Sequence, residues 1–170
     1  ELGCTLIDYE RVSDDAGRRL IYFSRHAGIT GMVDSLWTLG RRARELGHAN
    51  PLEDLRPAHA YDGIDAIEAA VRAVGERIRT EGVPAALRPL VVDFTGDGNV
   101  TRGAYEVFEE LPHVEVAPED LEAWVASHAD RGDVVARVRL QTHHLVERAS
   151  DGGFDRDEYF RAPQLYRSAL

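Results

Sequence analysis

The chain has 170 residues, a formal net charge of −10 and a sequence pI near 5.1, and 44% of its residues are hydrophobic. A length and composition of this kind predict one globular domain that needs neither a disulfide nor a structural metal to fold. The acidic balance argues against nucleic acid as the main partner, because nucleic-acid-binding domains present a net basic face.

All 20 positively charged residues are arginine, which excludes lysine Schiff-base chemistry within this chain. Cys4 is the single cysteine, so no internal disulfide can form, and we expect it to be a small buried hydrophobic residue. No segment approaches the roughly 20 consecutive apolar residues that span a membrane, and no secretory signal is visible. We therefore expect a soluble, cytoplasmic protein. The chain begins at Glu1 rather than Met, and we expect that an upstream part has been removed.

Two short strands are predicted at the start of the chain, over residues 4–10 and 18–23. Two amphipathic helices follow, because apolar residues recur at steps of three and four. The first helix covers residues 28–46 and the second covers 64–78, and a glycine followed by a proline ends each pattern.

Strands and helices alternate in the second half of the sequence. Residues 87–95 form an almost continuous apolar run, which is typical of a strand buried on both faces of a parallel sheet. The predicted elements after it are a glycine turn at 96–103, a helix at 104–111, a strand at 114–116, a helix from Pro118, a strand at 133–140 and a tail at 154–166 without a clean period. This order predicts an α/β fold with a Rossmann-like doubly wound parallel sheet. A complete domain of this type has about six strands, so we expect residues 1–170 to form a dinucleotide-binding domain that is incomplete at its C-terminal end.

The segment TGDGNVTRG at 95–103 lies between a buried strand and a helix, which is the context that a phosphate-binding turn requires. Gly96 would permit a tight turn, Gly98 would let a pyrophosphate approach the backbone, and N–H groups at the helix start would face the anion. Gly103 comes two places later than the third glycine of the usual G-x-G-x-x-G fingerprint. Dinucleotide binding and a glycine turn that serves only chain reversal are both open at this point.

The choice between NAD and NADP is also open. A ribose-binding acid is expected at the end of the second strand, about 20 residues after the glycines. The nearest acids are Glu115, within that strand, and Glu119 and Asp120, which lie past it. His143 and His144 could lie near a cofactor. We expect no metal site there, because adjacent residues point apart on a strand and no acid or cysteine lies at ligand spacing.

Several short sequence motifs, taken in their order along the chain, resemble those of a known family. They are GRRLIYF at 17–23, AGITGM at 27–32, LGH at 46–48, FTGDGNV at 94–100, ELP at 110–112 and HHLV at 143–146. In this order they resemble the lysine 2-oxoglutarate reductase part of aminoadipic semialdehyde synthase and the lysine-forming saccharopine dehydrogenases, within the alanine dehydrogenase and transhydrogenase superfamily.

The resemblance implies a two-domain dehydrogenase, of which this chain is a fragment, with NAD or NADP in the cleft between two Rossmann-like domains. The implied reaction joins the ε-amine of lysine to 2-oxoglutarate as an imine, which hydride reduces to saccharopine, or runs in reverse. In this family the catalytic lysine and histidine belong to an N-terminal domain. Because this chain has no lysine, the resemblance implies no catalytic residue here and a chain that is inactive by itself.

The resemblance also implies roles for individual residues. Arg18 looks like a cofactor contact, Arg19 like the arginine that holds a saccharopine carboxylate, and Phe23 like a wall of the substrate pocket. The other implied cofactor-binding residues are Gly96, Gly98, Asn99, Val100, Gly103, His143 and His144. An arginine suits a substrate rich in carboxylates, because a bidentate pair both orients and neutralises the carboxylate.

Three functional hypotheses follow. The first is an oxidoreductase whose partners are lysine, 2-oxoglutarate and saccharopine. The second is another amino-acid dehydrogenase of the same superfamily. The third is a noncatalytic nucleotide-binding module that has kept the fold. A catalytic lysine and histidine upstream of this chain would separate the third hypothesis from the first two.

Overall fold

The computed structural model describes residues 3–169, and it has the α/β fold that the sequence predicts. The helices are α1 Ser24–Glu45, α2 Ile64–Glu81, α3 Asn99–Phe108, α4 Leu121–Ser127, α5 Thr142–Leu145 and α6 Arg156–Arg161. The strands are β1 Leu90–Thr95, β2 His113–Val116, β3 Val135–Leu140, β4 Val146–Arg148 and β5 Tyr166–Ser168. Short 3₁₀ helices occur at Tyr9–Arg11, Pro51–Asp54, Ala58–Ala60, Ala85–Leu87, Pro118–Asp120 and Pro163–Leu165.

The segment before α1 differs from its prediction, because it does not form two strands. It contains the 3₁₀ helix Tyr9–Arg11 and one isolated antiparallel bridge. Leu6 and Ile7 are 88% and 85% exposed, so no neighbouring surface buries the apolar residues that would stabilise a strand there. Cys4 is exposed as well, and the expectation of a buried cysteine is therefore wrong.

The two long helices carry the apolar stripes that the sequence predicts, although α1 begins earlier than expected, at Ser24. Each helix ends at a glycine that takes a left-handed conformation, as at many helix C-termini. Gly47 follows α1 with a φ of 89°, and Gly82 follows α2 with a φ of 75°. The side chains that α1 and α2 bury in the core include Ile29, Val33, Leu36, Ala43, Ile67, Val71, Val74 and Ile78.

The three longer strands form a parallel sheet in the order β1-β3-β2. In the register, Leu90 of β1 lies beside Val135 of β3, and His113 of β2 lies on the other side of Val135. The third of these strands along the chain is therefore the central strand of the sheet. The connections from β1 to β2 and from β2 to β3 cross the sheet in opposite directions, so right-handed crossovers place α3 and α4 on opposite faces.

Apolar side chains cover both faces of this sheet. On one face, Leu90, Phe94 and Val135 belong to the main core, which α1, α2 and α3 complete. On the other face, a smaller cluster joins Val138 and its neighbours to residues of α4. Helices on both faces are the doubly wound arrangement that the sequence predicts.

After β3 the chain forms a small C-terminal unit, which no periodicity of the sequence predicts. β4 and β5 pair in antiparallel orientation, and α6 lies between them in the chain. An oxygen of Glu158 accepts hydrogen bonds from Arg148 Nε at 2.7 Å and from the Tyr166 hydroxyl at 2.6 Å. The rings of Phe154 and Tyr159 each pack on Tyr166, with centroids 5.9 Å and 5.2 Å away.

Between residues 3 and 169, no helix combines the length and the apolar character needed to cross a membrane. Over the same range, no three His, Cys, Asp or Glu side chains are grouped so that they could hold a metal ion.

Candidate functional site

The carboxyl ends of β1 and β3 lie side by side, because these strands are parallel neighbours. Thr95, the last residue of β1, pairs with Leu140, the last residue of β3. One residue further on, the Gly96 N–H donates a hydrogen bond to the Leu140 carbonyl oxygen at 3.0 Å. In α/β sheets, ligands bind in the crevice outside such strand ends.

The turn after β1 is short, since α3 begins at Asn99 and not after residue 103 as predicted. Gly96 has a φ of 80°, in the left-handed region that favours glycine. Gly98, which precedes the first residue of α3, has a φ of −77°, and a Cβ built there meets no atom within 4 Å. The Thr101 hydroxyl donates to the Thr95 carbonyl oxygen at 3.2 Å and fixes the start of α3 over the end of β1. The turn therefore presents bare backbone and the first N–H groups of a helix to open space.

Gly103 and the Val100 carbonyl group lie on the side of α3 that packs against α1. A Cβ on Gly103 would approach the Arg25 carbonyl oxygen to 2.0 Å, so this glycine allows α1 and α3 to pack closely. Gly28 of α1 has the same function, because its Cβ would lie 1.9 Å from the Val100 carbonyl oxygen. The Val100 side chain is 50% exposed. The structure therefore does not bring Gly103 to the crevice at the strand ends.

A cleft of about 310 Å³ lies at the carboxyl ends of β1 and β3, and we name it the glycine-turn cleft. Its lining residues are Gly96, Asp97, Gln141, Thr142, His143, Phe154 and Arg156. The sequence singles out Gly96 and His143 among them. Gln141 could have been found from its position directly after a buried strand. Phe154 and Arg156 are brought to the cleft by the fold of the C-terminal unit, for which the sequence carries no periodic signal.

The two adjacent histidines have different environments. They lie on the short helix α5 and not on a strand, so the expectation that they point apart is wrong, and their ring centroids are 3.9 Å apart. His144 Nδ1 accepts a hydrogen bond from the Gln141 N–H at 3.0 Å, and the Gln141 side chain accepts one from the His144 N–H. This capping box gives His144 a structural function. His143 alone of the two lines the glycine-turn cleft.

A second cleft, of about 570 Å³, opens beside the same turn, and we name it the arginine cleft. It is lined by Glu10, Arg19, Tyr22, Phe23, Ser24, Ala27 and Asn99. The Arg19 guanidinium lies 3.4 Å from Glu10 and its Nε donates to the Ile21 carbonyl oxygen at 3.3 Å. Because Asn99 lines the arginine cleft and Gly96 lines the glycine-turn cleft, the turn between these two residues separates the clefts.

Arg18 is not part of either cleft. Its Nε donates to a carboxylate oxygen of Asp14 at 2.7 Å, and its backbone N–H donates to the other oxygen at 2.9 Å. The hydrogen bond from the Arg18 backbone, followed by that from its guanidinium, lowers the pKa of Asp14. Arg18 therefore closes the turn before α1, and its side chain is mostly exposed.

Comparisons with known proteins place this geometry in context. No protein-family model matches the chain. The chain is similar to the mitochondrial alpha-aminoadipic semialdehyde synthase of Mus musculus, with 40% identity over 163 residues, which are 96% of this chain and 17% of that protein. The protein of the same name from Rattus norvegicus gives the same figures. The alpha-aminoadipic semialdehyde synthase of Arabidopsis thaliana is 37% identical over 172 residues, which cover 95% of this chain and 16% of that protein.

The chain thus spans about one sixth of the length of these relatives, yet the similarity extends along almost all of its own length. The resemblance predicted from the sequence is confirmed: the chain is a homologue of one segment of the alpha-aminoadipic semialdehyde synthases.

Proposed function

We propose that the chain is the cofactor-binding part of an oxidoreductase that joins L-lysine and 2-oxoglutarate to saccharopine, or catalyses the reverse reaction, with NAD or NADP. The observation that carries this proposal is the position of the glycine-turn cleft beside the arginine cleft, with the start of α3 between them. The similarity to alpha-aminoadipic semialdehyde synthases supports the choice of substrates.

The residues at the glycine turn fit a dinucleotide. Neither the backbone conformation nor the packing at Gly98 requires a glycine. The space beside Gly98 is open, as a pyrophosphate needs. N–H groups at the start of α3 would donate hydrogen bonds to the phosphate oxygens, and the helix dipole favours the negative charge. When bound, the nicotinamide would supply the hydride that reduces the imine carbon.

The arginine cleft fits the substrate. Lysine contributes one carboxylate and 2-oxoglutarate contributes two, so their product needs fixed cations as well as room for an aliphatic chain. Arg19 would exchange its 3.4 Å contact with Glu10 for a substrate carboxylate, and both partners are about half exposed. The rings of Tyr22 and Phe23 would cover the aliphatic carbons.

The proton transfers need groups that these clefts do not supply. Imine formation and hydrolysis require a general acid and base near the reacting carbon. The catalytic lysine and histidine that the resemblance implies belong to another part of the polypeptide, and we propose that they complete the site there. In this proposal, the segment positions the cofactor and a substrate carboxylate, and it performs no proton transfer.

The test uses the full-length protein, mixed with lysine, 2-oxoglutarate and either NADH or NADPH, while the absorbance of the reduced cofactor is followed. We expect a loss of absorbance that requires both substrates. Tight cofactor binding without this loss would favour another amino-acid dehydrogenase. No binding at all would favour a noncatalytic module.

We retain the cytoplasmic location as part of the proposal. The relatives from mouse and rat are named as mitochondrial proteins, whereas the name of the Arabidopsis relative gives no compartment. Subcellular fractionation with an antibody against the full-length protein tests it, and a purely organellar signal would contradict it.

A further inference from the structure

The local structure does not explain why an asparagine stands at position 99. Asn99 is the first residue of α3 and follows Gly98, which occupies the N-cap position. Asparagine is favoured at the N-cap itself, where its side chain accepts a hydrogen bond from a backbone N–H of the helix. The Asn99 side chain is exposed and has no hydrogen-bond partner within residues 3–169. Both the donor and the acceptor of its amide are therefore unused by the fold.

The position of Asn99 points to the arginine cleft. Asn99 lines that cleft together with Phe23, Ser24 and Ala27, and it does not line the glycine-turn cleft. The resemblance implies a cofactor contact for Asn99, and the backbone N–H groups at the start of α3 can provide that contact without the side chain. The amide of the side chain is thus left for the ligand of the arginine cleft.

The ligand proposed for the arginine cleft needs more than one group that binds a carboxylate. The product combines the carboxylate of lysine with both carboxylates of 2-oxoglutarate. Arg19 is the one cation among the described residues that line the cleft, and a guanidinium can hold both oxygens of a single carboxylate. The other lining side chains that can donate a hydrogen bond are those of Tyr22, Ser24 and Asn99. A second carboxylate therefore has to find a neutral donor.

Among these donors, Asn99 is the one whose backbone belongs to the proposed cofactor turn. The Thr101 hydroxyl holds the start of α3 over the end of β1, through its 3.2 Å hydrogen bond to the Thr95 carbonyl oxygen. The close packing of α3 on α1 at Gly28 and Gly103 fixes the same helix from the other side. A substrate group bound by the Asn99 amide would keep a set distance from a dinucleotide at the turn, and hydride transfer depends on such positioning.

We propose that the Asn99 carboxamide donates a hydrogen bond to a second carboxylate of the substrate, separate from the one that Arg19 holds. Asn99 is then a specificity residue of the arginine cleft, because its side chain contacts the substrate while its backbone N–H faces the cofactor phosphates. This inference rests on the proposed function, and it moves the Asn99 side chain from the cofactor to the substrate.

The test measures the dissociation constants of saccharopine and of the dinucleotide that binds, by calorimetric titration of the full-length protein. Asn99→Ala should weaken saccharopine about tenfold, as the loss of a hydrogen bond to a charged group does, and should leave the dinucleotide within about twofold. Asn99→Asp should weaken saccharopine further, and more than it weakens the dinucleotide, because two carboxylates repel each other. A purely structural function predicts no such loss, since an acid in the first turn stabilises a helix.

The control is Gln164→Glu, which makes the same change from an amide to a carboxylate. Gln164 is exposed and lines neither cleft, so neither dissociation constant should change. The unfolding temperature of Asn99→Asp should not fall, which separates a lost contact from a lost fold. If Asn99 and Arg19 hold different carboxylates, the double variant Arg19→Ala with Asn99→Ala should weaken saccharopine by the product of the two single factors.

Unchanged saccharopine binding in Asn99→Ala and Asn99→Asp would overturn the inference. An equal or larger loss of dinucleotide affinity would also overturn it, because the side chain would then contact the cofactor. A double variant no weaker than Arg19→Ala would place both residues on one carboxylate and contradict the second contact. Failure of the proposed function is distinct, because then the unmodified protein itself binds no saccharopine.

Discussion

Three glycines after β1 meet three different requirements. Gly96 adopts a left-handed backbone, and Gly103 lets the backbones of α1 and α3 approach each other. Gly98 has a backbone conformation open to any residue, and no atom lies within 4 Å of the point that a Cβ would occupy there. The fold therefore leaves Gly98 unexplained, and the proposed close approach of a dinucleotide would explain it.

Substituting Gly98 by valine tests this explanation. Gly98→Val should weaken the binding of NADH or NADPH at least tenfold, about 1.4 kcal/mol, because a branched side chain would occupy the space of the pyrophosphate. Its effect on the free energy of unfolding should stay near 1 kcal/mol, the usual scale for a change at a helix N-cap. Gly63→Val is a matched control, since Gly63 precedes α2 in the same way and also has no neighbour within 4 Å. Equal affinities of the two variants would place the dinucleotide elsewhere.

The Arg19 side chain is the proposed contact for a substrate carboxylate in the arginine cleft. Arg19→Ala should weaken saccharopine binding by about 1.5–3 kcal/mol, the value of a charge-assisted hydrogen bond, and should affect the binding of NADH or NADPH much less. Calorimetric titration of the full-length protein measures both. The neighbouring Arg18→Ala is the control, because Arg18 pairs with Asp14 outside the arginine cleft, and saccharopine affinity should not change. If Arg19→Ala weakens both ligands equally, Arg19 is not a substrate contact.

The elements between α1 and β3 were largely predictable from apolar spacing and apolar runs, whereas the segments before α1 and after β3 were not. The stripes of α1 and α2 and the apolar run of β1 follow from the sequence, because burial in one core imposes their spacing. The predicted strands near the N-terminus failed because an alternating pattern forms a strand only where a partner strand and a covering surface exist. The C-terminal unit depends on ion pairs and aromatic contacts between distant residues, which leave no period.

The packing of α1 against α3 gives a prediction about stability. Gly103→Ala places a methyl group 2.0 Å from the Arg25 carbonyl oxygen and should lower the free energy of unfolding by about 1–3 kcal/mol, as overpacking does. Gly31→Ala, at an open position of α1, should instead raise it by about 0.5–1 kcal/mol. Urea unfolding measures both variants. Effects of the same sign would contradict the account of these two glycines.

The C-terminal unit should loosen in acid. Hydrogen bonds from Tyr166 and Arg148 lower the pKa of Glu158. Such a carboxyl stabilises the folded state above its unfolded pKa, about 4.3 for glutamate, and this contribution is lost as the pH falls through the lower folded pKa. Amide-exchange protection factors in residues 146–168 should therefore fall below about pH 4.3, and Glu158→Gln should weaken this dependence. The Asp151 carboxylate carries the rest, because hydrogen bonds from the Gly153 N–H and from Arg148 lower its pKa as well. An unchanged acid dependence in the variant would assign the effect to other groups.

At the scale of the whole molecule, the fold brings together residues that are far apart in the sequence. Asn99 and Phe23 both line the arginine cleft, and Arg156 and Asp97 both line the glycine-turn cleft. The short sequence motifs that resemble those of a known family indicated Arg19, Phe23 and the glycines as site residues. They did not lead to Arg156, because its place depends on the turn that folds the C-terminal unit back onto β3. Local patterns likewise did not predict the order of the strands, in which β3 lies between β1 and β2.

The most direct test of the account is a hydrogen–deuterium exchange footprint of NADH and of NADPH on the full-length protein. We predict that the dinucleotide that binds protects backbone amides at 96–101 and 141–145, the ends of β1 and β3 with the starts of α3 and α5. The amides of 34–45, in the C-terminal half of α1, which lines neither cleft, should not change. Protection confined to that stretch or to other parts of the polypeptide, with 96–101 unaffected, would contradict the placement of the cofactor at the glycine turn.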